Sequence, residues 1–173
     1  MSSHLPDFVD PWRLAGAGKC FSGEVELARL PRLAAALMVV HGSARYELQF
    51  GLGAERRVQI TGRVQAQLVL ECQRCLESLN QTVDVAVNLA VIEAPSEAER
   101  LPDDQEPVLA EEGRIALRDL IEDELLLSLP QIPRHAAGRC AAGSAGEAVE
   151  PEREPGGSGP FAVLEGLRTK PQN

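Results

Sequence analysis

The sequence predicts an α+β fold: an antiparallel β-meander sheet with two helices packed on it, followed by a flexible C-terminal tail. Three observations predict it. Between residues 45 and 91, long stretches alternate apolar and polar side chains, the period of strands with one buried and one wet face. From about Ala116 to Ser128 the leucines recur at helical spacing instead. Beyond Cys140 the composition turns small, polar and rich in Gly and Pro, which suits a linker rather than a core.

Taken in order, Glu24 to Leu27 is a short strand that joins the sheet. Pro31 suits the first turn of a helix in which Leu30, Leu33 and Leu37 share a stripe. Tyr46, Leu48, Phe50 and Leu52 then alternate with Arg45, Glu47 and Gln49. A longer run places Val58, Ile60, Val64, Leu68 and Leu70 on one face, with Gly62 marking a bulge or bend. A third run aligns Val83, Val85, Val87, Leu89 and Val91. Direct connections make neighbouring strands antiparallel. Residues 93–113 read as an acidic, proline-punctuated loop, mobile or loosely draped. The main helix follows, burying Leu117, Leu120, Ile121, Leu125 and Leu127, and the prolines at 130 and 133 end it. The organisation expected is one globular domain over 1–140, a flexible linker over 141–159 and a short apolar tail motif over 160–173. In that motif Phe161, Leu164 and Leu167 recur every three residues, an apolar stripe that packs on its own domain, binds a partner, or does neither.

A chain of 173 residues with only 3% aromatic content builds its core from Leu, Val, Ile and Ala. The net charge of −9 is concentrated: between Glu93 and Glu124 twelve acidic residues face three arginines, leaving the remainder neutral. An acidic block repels phosphate backbones and attracts basic proteins. The neutral part carries Arg29, Arg32, Arg45, Arg56, Arg57, Arg63 and Arg74, which keep contact with RNA open through another face. The N-terminal stretch lacks a basic, apolar leader, and no run is long enough to span a bilayer. The expected compartment is the cytoplasm, where four cysteines read as thiols or metal ligands.

Two pairs carry the chemistry. Cys72 and Cys75 form a C-x2-C at the expected tip of a hairpin, and His135 and Cys140 form an H-x4-C after the main helix. Thiolates and imidazole at these spacings suit a tetrahedral zinc ion joining two remote loops. The bland alternative is two half-buried thiols at a turn beside an unrelated His and Cys. A thiol-redox pair is a third, although such a pair works best at a helix N-terminus, and here another strand follows. Cys20 is expected to be a buried small hydrophobe. Glu124 falls inside the apolar stripe of the main helix, so it should find a partner or sit at an edge. An arginine ion pair is the first expectation, and a contact beside the metal or with a binding partner the second. Glu122 and Asp123 are expected on the solvated face. No histidine has a catalytic companion, and no phosphate-cradling loop or paired-carboxylate pattern stands out.

Four motifs in register, LECQRCLESL, IEDELLLSLPQIPRH with Cys140, GPFAVLEGLR and the opening FVDPWRLAGAGKCFSGEVEL, resemble the YceD family of large ribosomal RNA subunit accumulation proteins. The resemblance spans nearly the whole chain. It implies a non-enzymatic role in ribosome biogenesis, with a ribosomal protein, precursor large-subunit rRNA, or both as partners, and neither membrane nor small-molecule substrate. Cys72, Gln73, Arg74 and Cys75 match the family's central motif. Where some members carry a second cysteine pair, this chain has His135 and Cys140. Gln73, Arg74, Glu124, Phe161 and Leu164 are the candidate binding residues. Two other functions stay open at this point: a redox-responsive protein using Cys72 and Cys75, and a general protein-interaction domain.

Overall fold

A computed structural model describes residues 5–53 and 56–140; the tail motif with Phe161 and Leu164 lies outside them. The strands are β1 (Phe8–Val9), β2 (Cys20–Glu26), β3 (Ser43–Leu52), β4 (Val58–Glu71), β5 (Ser78–Ile92), β6 (Glu106–Leu109) and β7 (Ile115–Ala116). The helices are α1 (Pro11–Gly16), α2 (Pro31–Ala36) and α3 (Leu117–Leu127). The main sheet has the order β2-β3-β4-β5-β6, and β1 pairs with β7 in a small second sheet.

The meander is present as read. In register, Ala44, Tyr46, Leu48 and Phe50 pair with Ala66, Val64, Gly62 and Ile60, which pair in turn with Val83, Val85, Val87 and Leu89. Paired residues share a face, so this set lies together under the helices. Tyr46, Leu48, Phe50, Ile60 and Val64 are fully buried, as are Leu33, Leu117, Ile121 and Leu125 from α2 and α3. The opposite face carries Glu24, Arg45, Gln65 and Asp84 in one row across four strands and is open to solvent, as antiparallel sheets permit.

Gly62 marks a close approach rather than a bulge. The register runs through it without an extra residue. Its φ is +155°, and a Cβ there would lie 1.9 Å from the Glu47 carbonyl oxygen, a position no other residue can fill.

The structure corrects several expectations. β2 begins at Cys20, four residues early, and Leu27 belongs to a 3-10 turn. Cys20 pairs with Gln49 and is exposed, not buried. The segment after residue 93 is not a loose loop: it forms a 3-10 turn (Pro95–Arg100), then β6, which runs parallel to β5. Pro107 is tolerated there because β6 is an edge strand. A third short helix, α1, starts at Asp10-Pro11: the Asp10 carboxylate accepts from the Arg13 N–H at 3.0 Å, and Pro11 occupies the first turn. Leu127 is 75% exposed; it lies at the end of α3, past the part that packs on the sheet.

Glu122 is the largest correction. It is 2% exposed rather than on a solvated face. Its carboxylate accepts from the Leu33 N–H at 3.0 Å and from Arg32 Nε at 2.9 Å, while Arg32 Nη1 reaches Asp123 at 2.6 Å. Leu30, the N-cap of α2, supplies no side-chain cap. A carboxylate from α3 therefore caps α2 and ties the two helices together.

Candidate metal centre

β4 and β5 pair from Gln59↔Ala90 to Glu71↔Ser78, whereas β3 covers β4 only as far as Ala66. The far end of the hairpin thus projects beyond β3, and residues 72–77 form its tip. Leu76 N–H closes the tip on the Cys72 carbonyl at 2.8 Å, with Leu76 at φ +61°. After α3, the chain runs back to this tip, and the Gln73 N–H donates to the Pro133 carbonyl at 2.9 Å. That bond sets His135 and Cys140 opposite the C-x2-C.

The four side chains converge. Cys72 Sγ, Cys75 Sγ, His135 Nδ1 and Cys140 Sγ all lie within 4.8 Å of one another. Cys75 Sγ is 3.4 Å and Cys140 Sγ 3.8 Å from His135 Nδ1, and Cys72 Sγ is 3.9 Å from Cys140 Sγ. Tetrahedral zinc with Zn–S near 2.3 Å and Zn–N near 2.05 Å needs sulfur–sulfur edges of about 3.8 Å and sulfur–nitrogen edges of about 3.6 Å. The separations straddle those edges. His135 also has its tautomer directed: Nε2 lies 3.1 Å from the Ser78 carbonyl, so Nε2 donates and Nδ1 keeps a lone pair facing the sulfurs.

The electrostatics point the same way. Burial alone would push the Cys72 thiol up, but the backbone N–H groups of His135, Arg74 and Cys75 and a side-chain hydrogen bond with Cys75 bring it down to about 5. Cys140 goes the opposite way, to about 11, through burial, its hydrogen bonds with Cys75 and Cys72, and the charge of those neighbours. One thiolate is welcome in this cluster and the next is opposed by it. Three sulfurs this close become thiolates together only around a cation. The residues therefore form a group that could hold a metal ion, with four protein ligands from two loops and no position left open.

The other candidates are spread out. The Gln73 and Arg74 side chains are exposed at the tip. Glu124 lies on α3, 8% exposed and facing Val85, Asn88 and Glu106 rather than the thiols. No arginine or lysine pairs with it among the described residues, so the expected ion pair is absent there. Its carboxyl is held above the ordinary range by burial and by the nearby charges of Glu106 and Asp123. The basic face expected from the arginines is thinned out as well. Arg32 is engaged by Glu122 and Asp123, Arg45 by Glu24 and Arg63 by Asp84. Glu106 and Asp104, which join Glu124, were not separable in sequence from the acidic block around them. No helix among the described residues is long and apolar enough to cross a membrane.

Residues 60–168 match the family model described as large ribosomal RNA subunit accumulation protein YceD. A Haemophilus influenzae protein of the same name is 34% identical over 169 residues, covering 96% of this chain and 97% of the relative. No solved structure matches. The matched span holds both halves of the thiol–imidazole cluster, and the chain belongs to the YceD family of large ribosomal RNA subunit accumulation proteins.

Proposed function

We propose that this chain is a non-enzymatic factor that supports accumulation of large-subunit ribosomal RNA, and that Cys72, Cys75, His135 and Cys140 hold one zinc ion as a structural clasp. The biological half of the reading is supported by the family and by the name of the Haemophilus relative. The chemical half is carried by one observation: four donors within 4.8 Å of one another, three of their separations close to tetrahedral edges, with the second histidine nitrogen tied to a backbone carbonyl. A closed four-ligand set stabilises a fold, whereas catalytic zinc keeps a position open for water or substrate. The clasp would fasten the hairpin tip to the loop after α3.

The partner is a basic ribosomal protein, precursor rRNA, or both. The ion-paired arginines and the acidic residues around β6 and α3 favour the protein. A redox role for Cys72 and Cys75 alone leaves His135 and Cys140 without a purpose, and the pair sits between two strands rather than at a helix N-terminus. The decisive experiment is depletion of the protein with quantification of both ribosomal RNAs. Large-subunit RNA falls while small-subunit RNA holds; unchanged large-subunit RNA refutes the biological half. Metal analysis of protein purified without chelator tests the chemical half, with one zinc per chain expected.

A further inference from the structure

Among the described residues Glu124 is a carboxylate without a cation, and the groove it faces has the makings of a cation site. β6 covers only Leu89–Ile92 of β5, so from Val85 to Asn88 this edge of the sheet has no neighbouring strand among the described residues. Val85, Ala86, Asn88 and Leu89 there, Asp104 and Glu106 before and at the start of β6, and Glu124, Leu127 and Ser128 on α3 line a groove of about 260 Å³. Asn88 Nδ2 donates to the Asp104 carbonyl at 2.7 Å, which holds the rim in place.

Three acidic residues line this groove, and the charge of Glu106 acts on the Glu124 carboxyl. Glu124 is more than nine-tenths buried, while Asp104 and Glu106 are exposed. The C-terminal end of α3 adds the negative pole of its dipole at Leu127 and Ser128. The walls are mixed: Leu127 is 75% exposed, and Val85 and Leu89 line the interior. A metal ion would want oxygen ligands all round, not a leucine wall. A lysine or arginine side chain fits both parts, laying its methylenes on Leu127 and Val85 and its head among the carboxylates. A phosphate or nucleic-acid strand is repelled by the same charges.

We propose that this groove is the docking site for a basic side chain of a protein partner, with Glu124 as its buried anchor. The inference deepens the assembly-factor reading by naming the protein partner's chemistry and the place it binds. Among the described residues no strand pairs with the edge of β5 beside the groove, which leaves it open to the same segment.

The test uses the full-length chain, labelled with nitrogen-15 and titrated with short peptides containing one arginine or one lysine, against the same peptide with glutamine. The basic peptides shift the amides of Ala86, Asn88, Glu106 and Leu127, and the glutamine peptide does not. Glu124→Gln, which keeps the shape and removes the charge, weakens basic-peptide binding about tenfold or more, as loss of a buried charge-assisted contact should. Glu99→Gln, the same charge change on an exposed residue outside the groove, leaves it within about twofold. Equal losses in both variants reduce the effect to net charge and overturn the proposal, as does binding untouched by Glu124→Gln. If Gln at Arg153, Arg168 and Lys170 moves the same amides without peptide, the chain's own tail is the occupant and the partner proposal falls. Binding of a short RNA at these amides would likewise overturn it. Failure of the depletion experiment refutes the ribosomal role without touching this titration, so the two readings fail separately.

Discussion

Replacing Glu122 tests whether α2 and α3 are joined as described. Glu122→Ala removes an acceptor from two donors, the Leu33 N–H and Arg32 Nε, at a residue only 2% exposed. The Leu33 amide is left buried without its acceptor, at a cost of about 1–3 kcal/mol. The Arg32 contact adds less than a fully buried pair, because the Arg32 side chain is 52% exposed and can turn to water and to Asp123; about 1 kcal/mol is reasonable. The loss should total about 2–4 kcal/mol, or a Tm drop of about 4–16 °C for a domain of this size. Glu122→Gln keeps one acceptor and its shape, so about half that loss is expected. Urea unfolding followed by circular dichroism gives both values. In a double-mutant cycle, Arg32→Ala should couple to Glu122→Ala by about 1 kcal/mol, while the Leu33 contribution survives in the Arg32→Ala background. A Glu122→Ala protein within about 0.5 kcal/mol of the wild type would refute the cap, since ordinary surface substitutions fall in that range.

Three further expectations concern the centre, the sheet and the groove. Chelation or Cys72→Ser should remove stoichiometric zinc and lower stability by on the order of 4 kcal/mol, the size of a cross-link closing the roughly 60-residue loop between Cys75 and His135; a Cys72→Ser protein retaining one zinc per chain and its Tm would refute the clasp. Gly62→Ala should fail to accumulate as folded protein or lose more than about 4 kcal/mol, because its Cβ would overlap the Glu47 carbonyl at 1.9 Å; soluble expression with a wild-type melting curve would contradict the register. Glu124 has a raised folded pKa, so its contribution to stability is fully present below the ordinary carboxylate pKa and is lost as pH rises through the folded value. Glu124→Gln should therefore melt higher than the wild type at pH 7, with the gap closing in acid; an equal gap at pH 3 and pH 7 would count against a desolvated carboxylate.

The parts of the fold legible in sequence were those with a clean period. Alternation placed β3, β4 and β5 because each has one face on the core and one in water. The same parity extended back from Glu24 would have put Cys20 outward with Ser22; reading its chemistry in isolation put it inside. β6 was hidden because its four residues include Glu106 and Pro107, and an edge strand accepts both. On α3 the helical stripe named the centre of the buried face but not its flanks. What lies beside each flank decides them. α2 covers the side that bears Glu122, turning a charged residue inward, whereas the side that bears Leu127 opens on the uncovered edge of β5. A single sequence carries the stripe and not the neighbours. The thiols and imidazole were legible for a different reason: few other residue types make sense as two spaced pairs, and spacing survives any uncertainty about the elements between them.

The proposed clasp and the groove share their supports, which gives a metal at the hairpin tip a purpose beyond local stability. Ser78 at the start of β5 accepts from His135, and Val85 to Leu89 of the same strand line the groove. α3 carries Glu124 and Leu127, and the chain leaving it supplies Pro133, His135 and Cys140. On the groove side, β5 has no neighbouring strand before Leu89 among the described residues; on the other side of the hairpin, β3 ends its pairing at Ala66 and Met38 and Val39 bridge to Val69 of β4. Without the clasp, the end of α3 and the hairpin arm are joined near the tip by single hydrogen bonds such as Gln73 to Pro133, worth about 1 kcal/mol each. A metal held by Cys72, Cys75, His135 and Cys140 would add a rigid junction to those bonds and hold the strand and helix that form the groove walls at a constant separation. A buried, unpaired carboxylate between walls free to part would let water in and lose the desolvation that makes it a strong anchor for a cation. On the reading proposed above, a metal held by these four residues would act as the brace of the proposed docking groove, beside a sheet edge that has no neighbouring strand among the described residues.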